Sequence, residues 1–119
     1  MSMLSFKILF NKMLSIILNG GIIMSDTTVK CPKEKGKIYV LTKNTYCLHL
    51  RKTPSADSKE NIVGIIRASQ KPLLIHEGVM CKKQDDDSIW FRVIVYNTEG
   101  LSIEPKSGWV NAHYLRFIK

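Results

Sequence analysis

Three cysteines, three histidines and a run of three aspartates are the residues of this chain whose types could do covalent or metal chemistry. A cysteine nucleophile needs a histidine within hydrogen-bond reach and a third group to orient it. Cys47 and His49 are close in sequence, but the expectation places them on opposite faces of one strand. Cys81 lies in a polar stretch with no base beside it, so no active site is expected. Cys47, His49 and Cys81 match no zinc spacing and lack a fourth ligand. Asp85, Asp86 and Asp87 are adjacent, whereas calcium loops space their carboxylates, so a solvated turn is expected there. The expectation is a non-enzyme with no metal and no cofactor. The cysteines include no C-x-x-C pair, and an odd count makes a poor disulfide framework. One bridge with a free thiol and three reduced thiols both fit.

The residues better suited to recognition are aromatic and polar. Trp90, Trp109 and Tyr114 could form a stacking wall, or they could be the packing of a small core, each burying roughly 150–250 Å². Alternation in "IWFRVIVY" (89–96) puts Trp90 on the same face as Arg92, which is not expected to be buried unpaired, so Trp90 is expected at the surface. Trp109 sits in a glycine-tryptophan-valine stretch and is expected to seal the core. Tyr114 can pack its ring and leave its hydroxyl in water. The stretch 51–61 offers Arg51, Thr53, Ser55, Asp57 and Asn61, a set that can read a peptide backbone or simply be a solvated loop. Arg51 has a second reading, as an anchor of that loop through backbone carbonyls. The expected ligand-binding set is Arg51, Thr53, Trp90, Asn111, His113 and Tyr114. His49 and His76 are expected on strand surfaces.

These residues need elements to hold them, and the period of the chain is two. Strands are expected at "KIYVLT" (37–42), "YCLHLR" (46–51), "IVGIIR" (62–67), "KPLLIHE" (71–77) and "IWFRVIVY" (89–96), with "GWVNAHYLRFIK" (108–119) closing the chain. Pro72 must stand at a strand start or edge, because it cannot donate to a ladder. "KTPSADSKEN" (52–61) is a loop too long for a hairpin turn, "GVMCKKQDDDS" (78–88) a polar connection, and 97–107 a turn with an insertion. About six or seven short strands and no helix-length amphipathic stretch predict a single all-β domain. The chain has 119 residues, enough for one domain.

The formal charge is +8. Leaving out residues 1–23, 16 basic residues face 10 acidic ones, giving +6. A basic domain meets nucleic acid, phospholipid or the anionic polymers of a cell envelope more readily than a neutral one. Nucleic-acid binding by a small barrel would use a positive groove with stacking aromatics, but the basic residues here are dispersed.

The first 25 residues differ from the rest. A weakly basic start, an apolar run and an Asn-Gly-Gly interruption resemble the layout of a secretory signal peptide. A true start at Met24, with upstream residues mis-called, is a second reading. A retained anchor is a third, although the apolar run is short of the ~20 residues a span needs. The first reading implies a secreted or envelope protein and the second a cytoplasmic one. Residues 26–36, lysine-rich with Pro32 and Gly36, read as a linker.

The order of "LHLRKTPSADS" (48–58), "IVGII" (62–66), "LLI" (73–75), "WFRV" (90–93) and "GWVNAHYL" (108–115) resembles the bacterial Src-homology-3 domain family over residues 37–119. The resemblance implies an SH3-like barrel of five to seven short antiparallel strands. It also implies a non-catalytic module that binds a cell-wall (peptidoglycan) component or an extended peptide, or a protein partner inside the cell. The chain departs from the family pattern at Lys52-Thr53, where Ser-Gly is usual, and in the length of 97–107. The alanine-leucine-tyrosine-aspartate-tyrosine run of the eukaryotic relatives is missing, which disfavours a proline-rich ligand.

Overall fold

A computed structural model describes residues 26–97 and 105–118. The expectations for residues 1–25, and for most of the 97–107 turn, fall outside them. The described chain is all-β and antiparallel, as its period predicts. Its strands are β1 (Thr27–Lys30), β2 (Ile38–Leu41), β3 (Cys47–Arg51), β4 (Ile62–Arg67), β5 (Pro72–Lys82), β6 (Ile89–Asn97), β7 (Lys106–Asn111) and β8 (Leu115–Ile118). Single 3-10 turns at Pro32–Glu34, Lys59–Asn61, Ala68–Gln70 and Ala112–Tyr114 join them. No helix among the described residues is long and apolar enough to cross a membrane.

The strand order is β4-β3-β7-β6-β5-β2-β8, with β1 also on β5. This gives eight strands among the described residues, against the expected five to seven. The sheet curls around a core but is not closed, since no ladder joins β4 to β8.

Two expectations need correction, and both concern β5. Residues 26–36 are more than a linker, because Thr27–Lys30 form a strand antiparallel to Val79–Lys82. Residues 78–82 belong to a strand rather than to a polar connection. β5 runs for eleven residues and bends at its middle, where the pairing with β6 shifts register between His76 and Met80. Gly78 sits at the bend with φ +82°, a left-handed conformation that suits glycine. Before the bend β5 carries β2 on one edge (Ile38 opposite Ile75), and after it carries β1 on that same edge. Isolated Val79, Met80 and Cys81 among lysines gave little strand signal, and the partner that orders them lies about fifty residues upstream.

The core lies inside the curl. Leu41, Leu50, Ile66, Leu74, Val93, Val95 and Val110 are buried together. These come from β2, β3, β4, β5, β6 and β7, and alternation correctly puts Val93 and Val95 inward. Gly108 faces the same way, opposite Val93. A Cβ there would lie 2.7 Å from Leu50 Cγ and 2.8 Å from the Arg51 carbonyl oxygen. Glycine is therefore what lets β3 cross β7 at this closeness.

Candidate functional site

The other face of the sheet carries Trp90 and Arg92 on β6, Trp109 on β7, Cys81 on β5 and Arg51 on β3, brought level by the pairings Trp90↔Cys81, Arg92↔Trp109 and Arg51↔Trp109. The expectation of an exposed Trp90 is wrong: only 4% of it is accessible. It forms a second buried cluster with Cys81 and Trp109, against which Val79 packs. Trp109 is 8% exposed and packed, as expected, although on the outer face rather than in the curl. The face assignment holds for Trp90. Its exposure does not, because loops fold over that face. Ala56 of the 52–61 loop lines the same groove as Trp90. From the other side, Ser88 Oγ accepts a hydrogen bond from Trp90 Nε1 at 3.0 Å and donates one to Asp86 Oδ1 at 2.6 Å. The Ser88 side chain in turn holds the Asp86 carboxyl below its ordinary pKa. The aspartate run is thus a turn, as expected, and one of its members fixes the indole. Arg92 satisfies its charge through Glu77, 3.2 Å away.

The 52–61 loop is held by two residues. Arg51 Nη1 donates to Asn61 Oδ1 at 2.8 Å and to the Ser58 carbonyl at 3.0 Å. Asn61 Nδ2 donates to Thr53 Oγ1 at 2.9 Å and to the Ser55 carbonyl at 2.8 Å. Arg51 therefore does anchor the loop through a backbone carbonyl. Thr53 has its hydroxyl turned to Asn61 and does not line the groove, so its expected ligand role has no geometric support.

An open groove of about 560 Å³ lies between β3 and the end of β7. Four of the six expected residues line it: Arg51, Trp90, Asn111 and Tyr114. His113 does not, but its ring meets Tyr114 edge-on at 5.0 Å, and its backbone N–H donates to Asn111 Oδ1 at 2.9 Å. That bond caps the 3-10 turn that presents Tyr114, which is 41% exposed. Sequence reasoning missed the opposite wall, where Tyr46 is 77% exposed and Cys47 and His49 sit on β3. Placing Cys47 and His49 on opposite faces was an error, since residues two apart on a strand share a face. Both line the groove, and the same alternation that aligned His49 with Arg51 should have included Cys47. His49 Nδ1 lies 3.5 Å from Arg51 Nη2, and no hydrogen bond joins it to Cys47 among the described residues. All three cysteines are free thiols.

The ladder explains why a groove exists here. Among the described residues, β3 has a ladder pair with β7 only at Arg51↔Trp109. Beyond that pair the strands part, and Cys47, Leu48 and His49 have ladder partners on β4 alone. Their free edge faces the gap, with Trp90 at its base. Among the described residues lining the groove, Arg51 is the only arginine or lysine, and none is a carboxylate. Among the described residues, no group of histidine, cysteine and carboxylate side chains could hold a metal ion.

No protein-family model, no curated protein and no solved structure matches this chain.

Proposed function

We propose that the chain is a non-catalytic binding module whose groove between β3 and Tyr114 takes an extended peptide or a peptide-bearing cell-wall component. The observation that carries this reading is the unpaired edge of Cys47–His49 inside a groove walled by Tyr46, Tyr114 and Arg51. An extended backbone can hydrogen-bond to a free strand edge while aromatic rings pack its side chains. A groove this small buries little area, so affinity is modest. The order of sequence elements that resembles the bacterial Src-homology-3 domains supports the same class of function, and the cell wall as the ligand's source.

Co-sedimentation with purified bacterial walls tests it. Retention in the wall pellet is expected, with loss on Tyr46→Ala or Tyr114→Ala, two exposed residues whose replacement leaves the core intact. No retention, or retention indifferent to both changes, would refute the wall ligand. Binding to free extended peptides without walls would instead favour a protein-protein adaptor. Mass spectrometry of the mature N-terminus separates the compartments: a chain beginning at Asp26 supports export, and one beginning at Met24 or Ser25 supports the cytoplasm.

A further inference from the structure

His76 was expected on a strand surface, yet it is the buried polar side chain at the bend of β5, with 1% of its area accessible. Its Nδ1 accepts a hydrogen bond from the backbone N–H of Gly78 at 2.8 Å. A ring nitrogen that accepts carries no proton, so Nε2 carries it and the ring is neutral. Nε2 has no hydrogen-bond partner among the described residues. The ring instead packs against Phe91, with centroids 4.5 Å apart, and Tyr39, at 6.1 Å.

The backbone around this ring attaches the N-terminal strap to the sheet. The Gly36 N–H donates to the His76 carbonyl at 2.8 Å, and the His76 N–H to the Lys37 carbonyl at 2.9 Å. The Cys31 N–H donates to the Gly78 carbonyl. Gly78 is held in its left-handed conformation within this set, so close to the strap that a Cβ on it would sit 3.1 Å from Lys35 Cβ. The side chain of His76 thus props the turn to which residues 31–37 are fastened.

We propose that His76 is an acid-sensitive latch: neutral, it locks the β5 bend to the strap formed by residues 27–36, and protonated, it lets that strap leave the sheet. An imidazolium has no acceptor nitrogen, so the Gly78 N–H loses its partner and the ring presents two donors to an aromatic pocket. The surrounding charges do not rescue it. From the 3-10 turn, Glu34 favours the cation, but its carboxylate is engaged by Lys37 Nζ at 3.2 Å and the Tyr39 hydroxyl at 3.4 Å. Lys37 opposes the cation, and Phe91 of β6 contributes no charge. On β5 itself, Glu77 is paired to Arg92. Cys31 of the strap has its thiol pKa raised by burial and by Glu34, and stays neutral. Burial is the largest influence on the ring and lowers its pKa below the ordinary 6.5. The neutral form is thus favoured in the fold while the unfolded chain takes up a proton first. The stabilisation is complete above about pH 6.5 and declines as pH falls below it.

Amide hydrogen exchange on the full chain at about pH 7.5 and about pH 5, corrected for intrinsic rates, reads the latch directly. Protection of residues 27–36 and Gly78 is expected to fall by up to about tenfold per pH unit below 6.5 and to be lost at a pH where Val93 and Val110 remain the better protected. His76→Asn keeps an acceptor near the Nδ1 position and cannot titrate, so its strap is expected to be indifferent to the same pH change. Equal protection of the wild-type strap at both pH values would overturn the proposal, as would an undiminished pH effect in His76→Asn. If that variant does not fold, the ring nitrogen shifts of the wild type decide. Protonation of His76 that leaves the Gly78 amide protected overturns the latch, and loss of that protection in step with protonation supports it.

Discussion

At the scale of single residues, the two tryptophans carry the clearest contrast with the groove residues. Trp90 is buried against Cys81 and Trp109, so Trp90→Ala is expected to cost about 3–5 kcal/mol of stability. Trp90 also lines the base of the groove, so a denaturant titration of that variant is needed to separate a loss of fold from a loss of binding. Tyr114→Ala removes a half-exposed ring and should change stability by under about 1 kcal/mol while weakening ligand retention. Gly108→Ala makes the opposite kind of damage. Its new methyl would meet the Arg51 carbonyl at 2.8 Å, an atom that cannot rotate away. A loss of about 3 kcal/mol or more is expected, measured as a shift of the urea midpoint. Replacing Gly64 should be milder, because a Cβ there meets only side chains, at 3.6 Å and beyond.

At the scale of elements, alternation made much of the fold legible. The core faces of β3 and β6, the position of Pro72 at the first residue of β5 and the closing role of Gly108-Trp109-Val110 all follow from period and residue type. What failed was anything that depends on how one element covers another. Trp90 is on the face its spacing predicts, yet alternation says nothing about a loop ten residues long folding across that face. β1 and the second half of β5 are each too polar to announce themselves, and each becomes a strand by pairing with the other. The groove was half legible: its β7 side was read from Asn111 and Tyr114, and its β3 wall was read at Arg51 but missed at Cys47 and His49. The covering loop itself depends on Asn61, which bridges Arg51 to the backbone of Ser55. Asn61→Ala should leave the Arg51 fork with one partner fewer and cost about 1–3 kcal/mol. Faster amide exchange confined to residues 53–61 would locate that loss in the loop.

For the whole molecule, the N-terminal strap sets where the folding unit begins. A chain starting at Lys37 matches the domain suggested by the Src-homology-3 resemblance, but it lacks β1 and the backbone bonds from Cys31 and Gly36. It also lacks Asp26, whose carboxyl accepts from Lys83 Nζ at 2.8 Å. That truncation is expected to unfold at markedly lower denaturant than a chain starting at Asp26. Equal midpoints would show that the strap adds nothing. Asp26 also gives a second pH window. Its hydrogen bond from Lys83 lowers its pKa below 3.8, so its contribution is present above that value and lost as pH falls through the lowered one. This lies well below the histidine window. Two separate steps in a stability-against-pH curve are therefore expected, and Asp26→Asn should diminish only the more acidic one, in which the lowered Asp86 carboxyl also takes part.

The pairing of β2 with β8 has a consequence for how the chain reaches this state. Ile38 finds its partner at Ile118, and Leu41 at Leu115. During synthesis β2 leaves the ribosome early and waits for nearly the whole described chain before its outer edge is covered. Contacts of such long sequence separation slow folding, because the loop must close before the pairing repays it. The nascent chain meanwhile offers "IYVL" as an open edge to any neighbouring strand. Holdase chaperones acting on this protein should bind that segment, and their hold should end when β8 arrives.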